Sequence, residues 1–272
     1  MVDFKMEGMR QGPGPAKKYT DFGGMEEEEV KDNKLIVTVV GDKGTGKTTF
    51  CLGQSGEIYA FTFDNKTQSI KRGLYNNDSR IHVIGGSKFL VETKEEVRDS
   101  SCKCYDYIMY CLGEIAKKGG CDWIVSDGLR DFAAYAEMKM RAANNIKASE
   151  GFANKNLWKE RNLFVRDFHR KAIEVARKGV IYTTYFKLDE ITIADGSTKT
   201  EKMPHYSDVV LKETDIVIFT KGERVDGKKV FVIECDSSKR PDIIKSGEYR
   251  NITDKVPDLV PTVQQKEVSK DV

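Results

Sequence analysis

The chain has 272 residues and carries 45 lysines and arginines against 43 aspartates and glutamates, a formal net charge of +2. This near balance excludes a chain-wide basic field, so any surface that attracts nucleic acid must be local. The longest apolar run, residues 35–40, is too short to span a bilayer, and the N-terminus lacks the apolar core and cleavage site of a signal peptide. These features predict a cytoplasmic protein that does not contact membranes.

The two ends of the chain differ in composition from its middle. Residues 1–33 contain Gly-Pro and Gly-Gly steps and an acidic run but almost no apolar periodicity, and residues 254–272 have isolated prolines and no apolar face. Such segments cannot bury enough apolar surface to fold alone. The sequence therefore predicts one domain over 34–253 between two flexible tails.

Inside this domain, short β-branched runs alternate with longer helical patterns. The run 35–40 is apolar throughout, as expected for a central strand of a parallel sheet that is buried on both faces. Further strands are predicted over 57–63, 81–84, 123–126 and 180–185, and helices over 47–52, from the capping box at 93–96 onwards, and from Leu157 to Gly179. In the last third, 215–219 and 230–235 flank Asp226-Gly227, which is a hairpin signal. The pattern predicts an α/β fold with a mostly parallel central sheet, flanking helices and antiparallel hairpins in the C-terminal third.

The six cysteines and three histidines show no metal-binding spacing. No CxxC pair occurs, and the histidines are scattered at 82, 169 and 205. Cys104 and Cys111 fall on the apolar face of a predicted helix, where a free thiol packs as a small hydrophobe. The spacing favours packing roles over a zinc cluster.

A phosphate-binding loop is predicted directly after the first strand. Residues 41–48 match the pattern G-x-x-x-x-G-K-[ST] in full and precede a helix. Glycines let backbone N–H groups point at phosphate oxygens, and Lys47 is expected to reach the β- and γ-phosphates. This pattern favours ATP or GTP over a dinucleotide, and Mg²⁺ is expected on Thr48 or Thr49. The predicted nucleotide-binding residues are Gly41, Asp42, Lys43, Gly44, Thr45, Gly46, Lys47, Thr48 and Thr49.

Such a loop needs an acidic residue at the end of a neighbouring strand to hold the magnesium. Asp127 follows the apolar stretch 123–125, and ligands gather beyond the carboxyl ends of strands in open α/β sheets. An aspartate at this point is also a favoured N-cap for the helix that starts near Leu129. The two roles are compatible, and we expect Asp127 and Thr48 to hold Mg²⁺.

From the phosphate loop onward, the order of elements over about 34–242 resembles the RecA-like P-loop ATPases. It is similar in particular to the small phage, plasmid and archaeal members related to recombinases and single-strand annealing proteins. The resemblance rests on the loop 41–48, the strand 58–65, the strand that ends at Ser126-Asp127-Gly128, the strand 179–185 and the segment 237–241. It implies an ATPase that acts on single-stranded DNA in recombination, repair or replication.

The resemblance also implies catalytic roles for particular residues. The family commonly places a glutamate after the second strand to activate water, whereas this chain offers Asp64 or Asn65. Asp64 would act as a base, while Asn65 would only orient the water. A polar sensor of the γ-phosphate is expected at Thr184 or Tyr185. The predicted catalytic residues are Lys47, Asp64, Asp127 and Thr184.

Two further surfaces follow from the resemblance. Lys239 and Arg240 match basic residues that touch ATP on the adjacent subunit, which implies a homo-oligomeric ring or filament. The segments 142–156 and 189–207 correspond to DNA-binding loops, and their lysines suit phosphates while their aromatic rings suit base stacking. The predicted DNA-binding residues are Lys147, Phe152, Lys155, Lys199, Lys202, His205 and Tyr206.

Two other functions remain open at this point. A nucleoside or nucleotide kinase shares the loop but usually has a lid with several arginines, and the sequence shows no clear lid. A nucleotide-gated recombination mediator would bind ATP and scarcely turn it over, and the absence of the glutamate from the second strand fits that reading.

Overall fold

The computed structural model describes residues 34–64, 66–89, 96–151, 155–192, 197–205, 210 and 212–260, without the side chain of Lys155. Its centre is an eight-stranded sheet with the strand order β10-β9-β8-β1-β5-β4-β2-β3, and β6 and β7 form a separate hairpin. The strands are β1 (Leu35–Gly41), β2 (Ile58–Thr62), β3 (Ile81–Gly85), β4 (Cys121–Asp127), β5 (Ala176–Thr184), β6 (Phe186–Thr192), β7 (Thr198–Pro204), β8 (Ile216–Val225), β9 (Lys228–Ser238) and β10 (Tyr249–Asn251). The helices are α1 (Lys47–Leu52), α2 (Lys66–Leu74), α3 (Val97–Lys117), α4 (Leu129–Ala143) and α5 (Lys155–Val175), with a 3₁₀ turn over Ser87–Phe89.

The six strands from β8 to β3 are parallel, and at one edge β9 pairs antiparallel with β8 and β10 pairs antiparallel with β9. β1 is central and almost completely buried, which explains why residues 35–40 are apolar except for Thr38, whose buried hydroxyl pairs with that of Thr214. The β8–β9 hairpin turns at Asp226-Gly227, where both residues have positive φ, as a two-residue turn of this kind requires. The predicted α/β class, with a mostly parallel sheet and antiparallel strands at the C-terminal end, is confirmed.

Two apolar clusters cover the two faces of the sheet. One contains the aromatic side chains of Phe61, Phe132, Phe168 and Tyr182, packed under α3, α4 and α5. The other contains Trp123 and the buried side of α1. Cys104 and Cys111 belong to the first cluster, as the helical spacing predicted. These two layers fix α1 and the carboxyl ends of β1, β4 and β5 relative to one another.

Helices α4 and α5 continue past the carboxyl edge of the sheet. α4 runs antiparallel to α3, because Lys139 pairs with Asp106 and the Arg98 guanidinium bonds to the carbonyl of Ile146. Asn144 at the end of α4 bonds to Glu160 in the first turns of α5. The connection between the two helices therefore lies on the same side of the sheet as the loop 41–48.

Two predicted boundaries are wrong. The helix expected to reach Gly179 ends at Val175, and Gly179 already lies inside β5, where a Cβ would be 2.1 Å from the carbonyl oxygen of Leu35. Residues 254–260 are not a detached tail, because Leu259 is buried and its N–H bonds to the buried amide of Gln54. Gly179 belongs to β5 because the neighbouring strand β1 leaves no room there for a side chain. Residues 254–260 belong to the domain because they pack beside the end of α1. The predicted tail over 1–33 and the start of the predicted helix at 93–95 lie outside the described residues.

Within the described residues, no helix is both long enough and apolar enough to cross a membrane.

Candidate nucleotide and magnesium site

The loop 41–48 connects β1 to α1 at the carboxyl edge of the sheet. Gly44 and Gly46 have φ values of +76° and +95°, a left-handed conformation that side chains other than glycine rarely adopt. A Cβ on Gly46 would also approach the ring of Phe231 to 3.2 Å. The loop lines a cleft of about 270 Å³ with residues from α2, β4, β5 and β9. The backbone itself therefore requires glycine at 46, which the motif specifies, and also at 44, which the motif leaves open.

Lys47 lies at the floor of this cleft. Its side chain is buried, and Nζ donates hydrogen bonds to the carbonyl oxygens of Gly41 at 2.8 Å and Asp42 at 2.9 Å. The ammonium also lies 4.2 Å from the centre of the Tyr185 ring, a cation–π contact. Burial lowers the pKa of Lys47, and the negative charge of Asp127 opposes this shift. The Lys47 ammonium is therefore held in a largely desolvated position at the N-terminus of α1.

Asp127 ends β4 and accepts hydrogen bonds from three threonine hydroxyls. Thr48 and Thr67 donate to its Oδ2 at 2.9 and 2.7 Å, and Thr183 donates to its Oδ1 at 2.7 Å. The helix that follows is capped by Gly128 without a side-chain bond, so Asp127 does not act as its N-cap. A carboxylate beside a threonine hydroxyl is the set of hard oxygen ligands that suits Mg²⁺. The residues present therefore fit a magnesium site on Asp127 and Thr48.

Two more carboxylates lie at the rim of the cleft. Asp64 lines it and accepts the backbone N–H of Lys66 at 2.9 Å, while the predicted alternative Asn65 lies outside the described residues. Asp131, in the first turn of α4, was not singled out from the sequence. Its residue is accessible to solvent, yet surrounding protein raises the pKa of its carboxyl, and the nearby charges of Asp64 and Asp127 add to this effect. The cleft thus has an acidic side opposite Lys47.

The structure does not bring Thr184 into the cleft. Its side chain is fully buried, and its hydroxyl donates to the carbonyl oxygen of His205 at 2.7 Å. The neighbouring residues Thr183 and Tyr185 line the cleft instead. Alternation along a strand explains the correction, because adjacent side chains point to opposite faces. Of the two sensor candidates, only Tyr185 is in position.

The side of the cleft away from Asp127 is apolar. Ile70 and Leu74 of α2 and Phe231 of β9 line it, and Leu74 is 60% exposed. Lys229, two residues before Phe231, donates to the carbonyl oxygen of Gly44 at 2.8 Å. No local sequence pattern predicts these contacts, because β9 reaches the loop only through the pairing of β8 with β1 and β9.

Lys239 and Arg240 lie far from the chain's own loop. The N–H of Lys239 bonds to the carbonyl of Asp215, just before β8, and Arg240 pairs with Asp242. β8 and β1 are parallel, so this is the amino edge of the sheet, whereas the loop follows its carboxyl edge. The four residue steps from Val37 to Gly41 alone separate the two edges by about 13 Å. Neither side chain contributes to the site of its own chain.

Acidic residues lie beside two of the predicted DNA-binding lysines that the structure describes. Lys202 on β7 lies 3.6 Å from the carboxylate of Asp42, and Lys199 pairs with Glu201. Lys147 is exposed in the connection between α4 and α5, and the His205 N–H donates to the carbonyl of Tyr185. Phe152, Tyr206 and the side chain of Lys155 lie outside the described residues. The lysines of β7 are thus engaged by acidic residues, one of them in the phosphate loop.

No protein-family model and no curated protein matches the chain. Among solved structures, it is similar to a KaiC-like protein of the archaeon Pyrococcus horikoshii, at 14% identity with a TM-score of 0.44, covering 79% of this chain and 84% of that one. It is also similar to the flagellar accessory protein FlaH of Methanocaldococcus jannaschii, at 10% identity with a TM-score of 0.40, covering 78% and 81%. The fold is α/β. Similarities at this level of identity and TM-score do not indicate an activity, and the geometry of the cleft is the basis for the function proposed below.

Proposed function

We propose that this chain binds ATP with Mg²⁺ at the loop 41–48 and hydrolyses it. The observation that carries the proposal is the hydrogen bond from Thr48 to Asp127, because it joins the phosphate loop to the acidic strand end in one cleft. Lys47 lies in the same cleft as a buried cation. Backbone N–H groups of the loop and Lys47 would bind the phosphates, and Thr48 and Asp127 would hold the metal. Mg²⁺, when bound, neutralises charge on the β- and γ-phosphates.

Asp64 is the proposed base for the attacking water. It lines the cleft, and its carboxylate is held by the N–H of Lys66 at 2.9 Å. An aspartate side chain is one methylene shorter than glutamate, so it needs either a closer water or a second bridging water. This favours a modest turnover rate. A mediator that binds ATP with little turnover would share every feature of the site except the role of Asp64.

The nucleotide kinase is the weaker alternative. Among the described residues that line the cleft, the cations are Lys43, Lys47 and Lys66, and no arginine is present. A kinase lid normally supplies several arginines to clamp the transferred phosphate. The described cleft therefore fits transfer of the phosphate to water better than transfer to a small acceptor.

The resemblance to RecA-like ATPases supports a ring or filament of identical subunits. Lys239 and Arg240 lie at the opposite edge of the sheet from their own loop, which suits contact with ATP held by a neighbour. Single-stranded DNA stays a predicted partner. Exposed Lys147 and the β6–β7 hairpin, both at the carboxyl edge, are the surfaces proposed to bind it.

Phosphate release measured with and without single-stranded DNA, on the wild type and on Lys47→Ala, tests the proposal. We expect hydrolysis by the wild type, its loss in the variant, and stimulation by DNA. Equal hydrolysis by both proteins would contradict the assignment of the site. Phosphate that appears on an added nucleoside would select the kinase. Tight ATP binding without phosphate release, even with DNA present, would select the mediator.

A further inference from the structure

Two buried threonine hydroxyls connect the carboxylate of Asp127 to the backbone of Asp64. The Thr67 hydroxyl donates to Asp127 Oδ2 at 2.7 Å and lies 2.8 Å from the hydroxyl of Thr62. The Thr62 hydroxyl also lies 3.0 Å from the backbone carbonyl oxygen of Asp64. Thr67 is 0% exposed and Thr62 is 2% exposed. The chain Asp64–Thr62–Thr67–Asp127 is therefore shielded from solvent at both of its hydroxyl groups.

The number of hydroxyl protons determines the direction of each hydrogen bond in this series. An ionised Asp127 only accepts hydrogen bonds, so the proton of Thr67 points towards it. Thr62 has a single proton and three acceptors within reach, which are the Thr67 oxygen and the carbonyl oxygen and Oδ1 of Asp64, and its own oxygen accepts the N–H of Asp64 at 3.4 Å. When Thr62 donates to Thr67, the bond from Thr67 to Asp127 is strengthened, because hydrogen bonds in series polarise one another. The position of one carboxylate is thereby linked to the backbone that carries the other.

Thr67 also belongs to the helix that Asp64 caps. The Asp64 carboxylate accepts the N–H of Lys66, the first residue of α2, and Thr67 is the second. A shift of Asp127 would move Thr67, then the first turn of α2, and with it Asp64. Thr48 shares the same Oδ2 atom with Thr67. Whenever Thr48 releases Asp127, Thr67 and Thr183 remain to hold the carboxylate.

We infer that Thr67 is a positioning residue that keeps Asp127 in place for the metal and in fixed relation to Asp64. This inference rests on the proposed function, because it concerns the same site. Thr67 touches neither the loop 41–48 nor Lys47 in the described contacts, and its bonds go to Asp127 and Thr62. Its loss is therefore expected to weaken metal binding at the site and leave the contacts of the loop with phosphate unchanged.

The matched pair Thr67→Val and Thr67→Ser separates the hydroxyl from the shape of the side chain. Valine keeps the branched shape without the hydroxyl, and serine keeps the hydroxyl. We expect Thr67→Val to raise the Mg²⁺ concentration for half-maximal ATP binding several-fold and to lower kcat roughly tenfold, since misplaced groups cost this much or more. The affinity for ATP without Mg²⁺ should not change. Thr67→Ser should restore both values to within about threefold of the wild type.

Three outcomes separate the inference from the proposed function. If Lys47→Ala binds and hydrolyses ATP like the wild type, the proposed function fails. If Lys47 is required but Thr67→Val matches the wild type in both magnesium requirement and kcat, the inference is overturned. In a protein that binds ATP without turnover, the magnesium titration alone decides. Should Thr67→Val not fold, Thr62→Val interrupts the same chain from β2 and should shift the magnesium requirement in the same direction.

Discussion

The Lys202 ammonium lies 3.6 Å from the carboxylate of Asp42, so the β6–β7 hairpin is linked to the second residue of the phosphate loop. Phe186 at the base of the same hairpin packs edge-to-face on Phe219 of β8, with ring centres 5.1 Å apart. The segment predicted to bind DNA is thus in contact with the segment predicted to bind phosphate. Any ligand that attracts Lys202 would compete with Asp42 for it.

We predict that Lys202→Ala changes DNA binding more than it changes stability. The pair is exposed on both sides, so its loss should alter the free energy of unfolding by less than about 1 kcal/mol. If Lys202 contacts a DNA phosphate, the slope of log affinity against log salt should become shallower by about one. Fluorescence anisotropy with a labelled single strand at several salt concentrations measures both affinity and slope.

Lys187→Ala is the matched control for that experiment, because the register places Lys187 opposite Met203, on the other face of the hairpin from Lys202. An unchanged salt slope in Lys202→Ala, with binding present in the wild type, would remove this lysine from the DNA surface.

Asp127→Asn should abolish the magnesium dependence of nucleotide binding. Asparagine has the same size, but its single oxygen can keep either the Thr183 hydroxyl, which donates to Oδ1, or the Thr67 hydroxyl, which donates to Oδ2, and it has no charge for the metal. We expect a fall in phosphate release of at least about 100-fold, in line with the loss of a charged group at a transition state. Asp99→Asn, which changes an exposed aspartate of α3, is the control. Retained magnesium dependence in Asp127→Asn would place the metal elsewhere.

His169 makes stability depend on pH. It is buried, its Nδ1 lies 2.5 Å from the Tyr182 hydroxyl, and its Nε2 lies 2.9 Å from Glu213. Burial lowers the pKa of His169, and the carboxylate of Glu213 opposes this shift. A lowered pKa means that the unfolded state binds the proton more readily. The stabilising contribution is therefore complete above the unfolded value of about 6.5 and is lost as pH falls towards the folded value.

Thermal unfolding at pH 8 and pH 5.5 checks this prediction. We expect the wild type to lose more stability on acidification than His169→Gln, which keeps two polar atoms but does not titrate. Equal losses in the two proteins would assign the acid sensitivity to other groups.

The C-terminal segment 254–260 should contribute to stability. Leu259 is 3% exposed, and the Gln54 side chain beneath it bonds to the carbonyl of Pro257 and the N–H of Leu259. Leu259→Ala should lower the free energy of unfolding by about 2–4 kcal/mol, the usual cost of truncating a buried leucine. Val225→Ala, at a half-exposed position in the β8–β9 turn, should cost less than about 0.5 kcal/mol. Urea denaturation measures both, and equal costs would show that the segment is not packed.

Short sequence patterns were sufficient to predict the elements that depend mainly on neighbouring residues. The apolar run of β1, the glycines of the loop and the Asp226-Gly227 turn were all predicted where the structure has them. Asp127 was found because parallel strands end at one edge of a sheet. Thr184 was misplaced, since a one-residue error on a strand selects the opposite face.

Contacts between distant segments could not be predicted from one sequence. Asp131 and Phe231 line the cleft, and Thr67 and Lys229 bond to residues that line it, through sheet order and helix placement and with no motif of their own. The packing of Leu259 on Gln54 joins residues that are 205 positions apart. Such contacts depend on tertiary packing, which hydrophobic periodicity does not encode.

The central claim, that the loop 41–48 binds ATP through Lys47, is tested most directly by calorimetric titration of ATP with Mg²⁺ into the wild type and Lys47→Ala. A hydrogen bond to a charged group contributes about 1.5–3 kcal/mol, so the variant should bind roughly 10- to 100-fold more weakly. Lys71→Ala, in the last turn of α2 and outside the residues that line the cleft, should bind like the wild type. Equal affinity of the wild type and Lys47→Ala, or no binding by the wild type, would contradict the account.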